Sequence, residues 1–122
     1  MARFGRVAPT IPVRNIDRAL GFYRDVLGFE VSFTNGAPIS FSAIKQGQAE
    51  LHLRVDPGRA SATHVHLMVD NLDDVYQALN QAGAKILQPP MLQPWGLRDL
   101  VVIDPDGNSF EIAESVSDSK SE

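Results

Sequence analysis

The sequence of 122 residues contains no cysteine, and this absence excludes several kinds of chemistry. A chain without thiols forms no disulfide, binds no zinc through thiolates and has no cysteine nucleophile. Proteins of the reducing cytoplasm generally do without disulfides, so we expect a cytoplasmic location.

Long apolar runs are missing as well. None approaches the roughly 20 residues of a membrane-spanning helix, and residues 1–13 contain basic side chains but no sustained apolar stretch. We therefore expect no membrane partner and no secretory signal. The 11 Lys and Arg residues against 15 Asp and Glu give a net charge of −4 without a basic cluster. Because nucleic acid binding depends on a basic surface, nucleic acid is not an expected partner either.

The sequence does contain an internal repeat of about 56 residues, measured from Asn15 to Asn71. The segments Ile11–Val31 and Leu67–Leu87 share an order of features: a β-branched strand end, an asparagine, an aliphatic residue followed by Asp, a helical run and a glycine. Apolar side chains recur at helical spacing in both segments, at Ile16, Leu20, Tyr23 and Leu27 and at Leu72, Val75, Tyr76 and Leu79. The repeat predicts two modules of the same architecture.

The two helices have recognisable ends. Asn15 and Asn71 are suitable N-caps, because an asparagine side chain accepts a hydrogen bond from an unpaired N–H of the first turn. Acidic residues follow each asparagine, where the helix dipole favours negative charge. Gly28 and Gly83 suit the left-handed conformation that ends a helix. We therefore predict helices from Asn15 towards Gly28 and from Asn71 towards Gly83.

Alternating apolar segments between turn residues predict eight strands, four to a module: Val7–Val13, Phe29–Thr34, Ile39–Lys45, Ala49–Val55, Thr63–Val69, Lys85–Leu87, Leu97–Ile103 and Ser109–Ala113. The predicted fold class is α+β, with two βαβββ modules whose curled mixed sheets surround a cleft. We expect one domain over residues 1–114, made of module one at 6–55, a linker at 56–62 and module two at 63–114, and then a disordered tail at 115–122. Two open sheets need a partner to close them, so we expect a homodimer.

Two phrases in this framework resemble a known family. ALGFYRDVLGFEV, together with the hairpin DPDGNSFEI and the repeat itself, is similar to the glyoxalase/bleomycin-resistance/extradiol-dioxygenase superfamily, also called the vicinal oxygen chelate superfamily. The resemblance extends from Arg6 to Glu114. It implies the fold, but it leaves the function open because the same fold carries lyases, dioxygenases and non-catalytic drug-binding proteins.

In the metal-dependent members, four positions on the first, fourth, fifth and eighth strands face a common cup. The resemblance places them at Ala8, Glu50, His64 and Glu111. Ala8 has no ligand atom, so we predict no metal cofactor. The alternative is a divalent metal ion on Glu50, His64 and Glu111 in a glyoxalase-like lyase or extradiol-type dioxygenase.

The segment LQPWGLRDLVVIDPDGNSFEIAE is similar to the bleomycin-resistance branch instead. In those dimeric proteins a loop tryptophan stacks on the planar part of the drug and an aromatic residue of the third strand closes the other side, which implies Trp95 and Phe41 here. We therefore expect a protein that sequesters a planar, cationic antibiotic of the bleomycin type without chemistry. The expected ligand-binding residues are Trp95, Phe41, Phe33, His64, His66, Glu50 and Glu111.

Each of these residues also has a structural interpretation. A lone tryptophan usually belongs to the core, although a position between Pro94 and Gly96 favours a loop. Core packing is the default interpretation for Phe33, which lies on a predicted strand. A carboxylate inside the cup, such as Glu50 or Glu111, is costly unless a cation neutralises it, and a histidine, Arg54 or Arg98 could do so.

Overall fold

A computed structural model describes residues 1–115 and has an α+β architecture with two four-stranded mixed sheets and two helices. The first module contains β1 (Thr10–Val13), α1 (Ile16–Tyr23), β2 (Glu30–Asn35), β3 (Phe41–Gln46) and β4 (Ala49–Val55). A short 3₁₀ helix (Pro57–Arg59) leads to the second module, which contains β5 (His64–Met68), α2 (Leu72–Gln81), β6 (Lys85–Leu92), β7 (Leu97–Ile103) and β8 (Ser109–Ser115).

The two sheets repeat one topology, as the sequence predicts. The first sheet has the order β1-β4-β3-β2 and the second the order β5-β8-β7-β6. In each, the strand before the helix pairs in parallel with the last strand of the module, and the other pairs are antiparallel. Neither helix within residues 1–115 is long and apolar enough to cross a bilayer.

Both helices begin at the predicted asparagines. The side chain of Asn15 accepts a hydrogen bond from the backbone N–H of Arg18 at 2.8 Å, and that of Asn71 accepts one from Asp74 at 3.1 Å. The first helix ends at Tyr23, earlier than the predicted stop at Gly28. Residues 24–27 form irregular turns, in which the N–H of Leu27 donates to the carbonyl of Phe22 at 3.1 Å. Gly28 ends these turns with a φ of +83°.

Three strands of the first sheet have different bounds from those predicted, and β5 in the second is one residue shorter at each end. Strand β1 starts at Thr10 rather than Val7, which agrees with the missing N–H of Pro9. Strand β3 starts at Phe41 rather than Ile39, because the N–H of Ser40 closes a turn onto the carbonyl of Asn35 at 2.9 Å. Strand β2 is shifted by one residue at each end.

Two strands of the second sheet are longer than predicted. Strand β6 continues past Leu87 to Leu92 although Pro89 and Pro90 lie within it. It is an edge strand, so a residue without an N–H loses no bond on its open side. Strand β8 includes Ser115, which the sequence analysis placed in the tail. The remaining predicted tail, 116–122, lies outside the described residues.

A single hydrophobic core spans both modules. The inward faces of the two sheets and the apolar stripes of the two helices contribute to it, and the Tyr23 and Phe110 rings from different modules meet at 5.7 Å between centroids. The fully buried apolar side chains include Ile11, Val13, Tyr23, Ile44, Leu53, Leu72, Leu79, Leu100, Val102, Phe110 and Ile112.

A polar network at the turn between β7 and β8 joins the modules. The buried Asp104 carboxylate accepts hydrogen bonds from the Tyr23 hydroxyl at 2.6 Å and from the backbone N–H of Asn108 at 2.8 Å. The Asn108 side chain donates to the carbonyl of Pro12 at 2.8 Å and accepts from the N–H of Ser61 at 3.1 Å. Four segments distant in sequence therefore meet at one turn.

Gly107 completes this turn and has no room for a side chain. Its φ of +91° belongs to the left-handed region. A Cβ atom there would also lie 2.5 Å from the hydroxyl of Ser61. The phrase DPDGN is therefore explained by backbone geometry and hydrogen bonding at the junction of the modules.

Tyr23→Phe is expected to destabilise the protein at neutral pH by about 2 kcal/mol, because a hydrogen bond to a buried carboxylate is lost. Burial, followed by the negative charges of Asp104 and Asp106, raises the pKa of the Tyr23 hydroxyl well above its ordinary value. Above about pH 10, Tyr23 is therefore ionised in the unfolded chain but not in the folded chain. The free energy of unfolding of the wild type should fall by about 1.4 kcal/mol per pH unit because of this residue.

Urea unfolding between pH 7 and pH 11 measures both effects. Tyr76→Phe is the matched control, since Tyr76 is the other tyrosine and only half-buried. The tyrosine-dependent loss above pH 10 should disappear in the Tyr23 variant and persist in the Tyr76 variant. A Tyr23 variant whose stability falls with pH as steeply as that of the wild type would contradict this account.

Candidate functional site

The face of the first sheet that points away from the core carries an aromatic and charged cluster. Along β4, Leu51 and Leu53 are buried in the core, whereas Glu50, His52 and Arg54 alternate with them on the opposite face. This alternation follows from the period of two in a strand. The opposite face is therefore available for a ligand.

Phe41 is the centre of this cluster. Its ring lies 6.2 Å from the Phe33 ring and 5.2 Å from the His52 ring, both in edge-on geometry. The guanidinium carbon of Arg54 lies 5.1 Å from the Phe41 centroid, within the range of a cation–π contact. The default interpretation of Phe33 as a core residue is wrong, because 56% of its surface is exposed.

Glu50 pairs with two basic side chains close to it, Arg6 and His52. Its carboxylate lies 3.2 Å from the Arg6 guanidinium and 2.9 Å from His52 Nε2. The hydrogen bond with His52, followed by the charge of Arg6, holds the pKa of Glu50 below its usual value. The same three residues line a cavity of about 330 Å³ together with Val7 and Ala8.

The corresponding face of the second sheet carries two histidines and an acid. His64 Nδ1 lies 2.6 Å from the Ser109 hydroxyl, and His66 Nδ1 lies 3.3 Å from a Glu111 carboxylate oxygen. The strand register places His66 and Glu111 directly side by side on parallel strands β5 and β8. Both histidines are exposed, so this face can offer hydrogen bonds to a ligand.

Asp99 is a buried acid that the sequence analysis did not identify. Only 2% of its surface is exposed, and one carboxylate oxygen accepts hydrogen bonds from Gln88 Nε2 at 2.8 Å and Gln93 Nε2 at 3.0 Å. Burial opposes its ionisation, but the hydrogen bonds from the Gln93 and Gln88 amides favour the carboxylate, and the pKa of Asp99 lies below its usual value. The available signal in the sequence was the single acidic residue of the otherwise mainly apolar segment LRDLVVI.

Trp95 lies in the loop between β6 and β7, and 65% of its surface is exposed. The loop is closed by backbone hydrogen bonds from the N–H of Gln93 to the carbonyl of Leu97 at 2.7 Å and from the N–H of Gly96 to the carbonyl of Gln93 at 3.1 Å. Within residues 1–115 no ring contact joins Trp95 to Phe41. The two proposed stacking partners therefore lie on separate sheets of one chain and do not touch.

The possible metal ligands are also not gathered at one point. Among residues 1–115 no group of three or more histidine and acidic side chains could hold a metal ion. Glu50 is engaged by Arg6 and His52 on the first sheet, whereas His64 and Glu111 belong to the second. Within one chain, the donor set implied by the metal-dependent relatives is therefore divided between the two sheets.

Arg98 does not neutralise either candidate acid. Its guanidinium lies 2.6 Å from Asp73 and 3.3 Å from Glu114, and these bonds tie β7 and β8 to the start of α2. Glu114 also accepts a hydrogen bond from the N–H of Leu72 at 2.6 Å, so it caps the helix. This cluster has a structural role.

The family follows from comparison with known proteins. The family model described as "Glyoxalase/Bleomycin resistance protein/Dioxygenase superfamily" matches residues 3–112, nearly the whole chain. The chain belongs to this superfamily. Its doubled βαβββ topology is the fold of that superfamily, as the sequence resemblance implied.

Bleomycin resistance proteins are among the relatives of this superfamily member. The chain is 27% identical over 130 aligned residues to the bleomycin resistance protein of Geobacillus stearothermophilus, covering 88% of this chain and 95% of that protein. A protein of the same kind from Klebsiella pneumoniae is 25% identical, with 90% and 92% covered. The predicted similarity to the drug-binding branch is therefore confirmed.

Solved structures agree with this placement. A superfamily member from Sphaerobacter thermophilus is 31% identical, with 92% of this chain and 98% of that chain covered and a TM-score of 0.78. A bleomycin-binding protein in complex with bleomycin is 25% identical, with 92% and 99% covered and a TM-score of 0.77. The likeness extends over nearly the whole length of each structure.

Proposed function

We propose that this protein binds a planar, cationic antibiotic of the bleomycin type and sequesters it without chemical change. The observation that carries the proposal is the exposed indole of Trp95, on a loop whose first residue is anchored by a buried carboxylate. Exposing so large an apolar ring is unfavourable in water, and a flat ligand that covers it removes that disadvantage. Similarity to a bleomycin-binding protein supports the choice of ligand.

The two exposed sheet faces supply the remaining contacts. Phe41 and Phe33 offer rings for the planar part of the ligand, on the first sheet. Amide and hydroxyl groups of the ligand would bond with His64 and His66, and its cationic groups would be attracted by Glu50 and Glu111. The net charge of −4 favours the approach of a cation.

We further propose that the binding unit is a homodimer, in which Trp95 of one copy and Phe41 of the other enclose one ligand. Two aromatic residues must face each other to place a ring on each side of the ligand. Within residues 1–115 of one copy, the Phe41 ring contacts only the rings of Phe33 and His52, so Trp95 of the same copy does not face it. A second copy related by a two-fold axis would supply the missing side and create two equal sites.

We propose that binding requires no metal ion or other cofactor of the protein's own. The acids on the exposed faces already have partners within the chain. Glu50 pairs with Arg6 and His52, and Glu111 pairs with His66. Sequestration needs only affinity, so no catalytic group has to be assigned. We propose the cytoplasm as the place of action, where a drug-binding protein intercepts a drug before it reaches its target.

Bleomycin is expected to quench the fluorescence of Trp95 saturably, with one drug molecule bound for each chain. Stacking of a heteroaromatic ring on the indole is the physical cause, and Trp95 is the only tryptophan of the chain, so the signal is unambiguous. A titration of metal-free bleomycin into EDTA-treated protein measures affinity and stoichiometry together.

Spermidine is the control for charge without a ring, and it should leave the fluorescence unchanged. A flat bleomycin titration would contradict the proposed ligand. Binding that disappears on EDTA treatment and returns with a divalent metal would favour a metal site on Glu50, His64 and Glu111 instead.

A further inference from the structure

The buried carboxylate of Asp99 binds two side chains, one within β6 and one directly after it. Oxygen Oδ1 accepts hydrogen bonds from Gln88 Nε2 at 2.8 Å and from Gln93 Nε2 at 3.0 Å. Gln88 lies within β6, and Gln93 is the first residue of the loop that carries Trp95. One oxygen atom therefore connects the strand with the loop that follows it.

The Trp95 loop has few other attachments. Within residues 1–115, residues 93–96 form two further hydrogen bonds, both between backbone atoms at the ends of the loop. The indole itself lies largely in solvent. The bond from Gln93 to Asp99 is therefore the side-chain contact that fixes this loop to the sheet.

We infer that Asp99 is a positioning residue, whose carboxylate holds the Trp95 loop through Gln93 and so presents the indole in a fixed orientation. The effect on ligand affinity rests on the proposed function, whereas the effect on the loop does not. Because Asp99 is buried and bonded by two amides, releasing Gln93 leaves the carboxylate in place and frees only the loop.

The bond is suited to this role. A hydrogen bond to an ionised acceptor is roughly twice as strong as one between neutral groups, and a buried acceptor is not exposed to competing water. Asp99 also lies on the same face of β7 as Val101, which pairs with Glu111 of β8. The group that orients the loop therefore lies on the same sheet face as Glu111, on which the ligand would rest.

The test compares Gln93→Ala with Gln88→Ala in the full chain. Both variants remove one hydrogen bond to Asp99 Oδ1, and Gln88→Ala also removes a bond to the Asp99 backbone carbonyl at 3.2 Å. Only Gln93 belongs to the loop. In the ligand-free protein, Gln93→Ala should lower the anisotropy of Trp95 and increase its quenching by acrylamide, and Gln88→Ala should change neither. If bleomycin binds, Gln93→Ala should weaken it about fivefold, the factor that corresponds to one lost hydrogen bond.

A second variant covers the case in which alanine perturbs folding. Gln93→Glu keeps the size of the side chain but turns a donor into an acceptor that Asp99 repels, so it should loosen Trp95 at least as much. Unchanged anisotropy in both Gln93 variants, or equal loosening in Gln88→Ala, would overturn the inference. If Gln93→Ala increases the mobility of Trp95 but the protein binds no bleomycin, the positioning role is supported and the proposed function is refuted. Failure of the inference and failure of the proposed function are therefore distinguishable.

Discussion

Replacing Asn108 with alanine is expected to reduce the free energy of unfolding by about 3 to 5 kcal/mol. The side chain is fully buried and binds both modules at once. It donates to the carbonyl of Pro12 and to Asp104, and it accepts from the N–H groups of Ser61 and Thr63. An alanine removes the partner of the Pro12 carbonyl and of the partly buried N–H groups of Ser61 and Thr63, whereas Asp104 keeps its bond with Tyr23. Each buried group left unsatisfied costs about 1 to 3 kcal/mol.

Urea unfolding followed by circular dichroism, at one chain concentration, measures this loss. The concentration must be held constant because association of folded chains would add to the apparent stability. Asn80→Ala is the matched control, since Asn80 is an exposed residue of α2 and its removal should change stability by less than about 0.5 kcal/mol. A loss of the same small size in Asn108→Ala would show that the junction of the modules does not depend on this network.

Replacing Trp95 with alanine is expected to weaken bleomycin binding by about 100-fold while the fold is retained. The exposed side chain contributes little to packing, so its removal affects the ligand rather than the core. Isothermal titration calorimetry is the suitable measurement, because the variant has no tryptophan fluorescence.

Two further substitutions separate stacking from simple apolar contact. Trp95→Phe keeps a flat ring and should retain most of the affinity, whereas Trp95→Leu keeps an apolar side chain without a ring and should lose most of it. Equal affinities of the leucine and phenylalanine variants would show that the contact depends on buried area alone. Wild-type affinity in Trp95→Ala would remove this residue from the proposed site.

Mixing two defective variants tests whether the site is shared between copies. If Trp95 and Phe41 act across a dimer, a heterodimer of Trp95→Ala with Phe41→Ala contains one intact site and one doubly defective site. After random exchange of chains, about a quarter of the sites should regain high affinity. No recovery after demonstrated exchange would place both residues in the site of a single copy.

Much of the fold could be predicted because its signals are local. The caps Asn15 and Asn71 work through backbone groups three residues further along, and both helices begin where these residues indicate. The strand ends were less predictable, because they depend on partners. Strand β6 tolerates Pro89 and Pro90 because it lies at the edge of its sheet and its register with β7 shifts between Gln88 and Met91. Both features are properties of the complete topology.

The candidate site was predictable to a smaller extent. The exposure of Trp95 followed from its neighbours Pro94 and Gly96, and the loop places it in solvent. The roles of Arg6 beside Glu50 and of Asp99 beneath the Trp95 loop were not predicted, since the paired residues come from different segments of the chain. Charge and spacing alone do not identify such partners.

The sequence by itself determined that the chain consists of two matching βαβββ units, because helix caps, strand alternation and glycine turns are set by neighbouring residues. Only the tertiary structure decided which side chains share a site. Strand register places His66 next to Glu111 and the Gln88 amide near Asp99, and the turn after β6 brings the Gln93 amide to the same carboxylate. That register is set by the packing of the common core. The physical reason is that hydrogen bonds act over about 3 Å, so the side chains they join depend on how the chain folds back on itself.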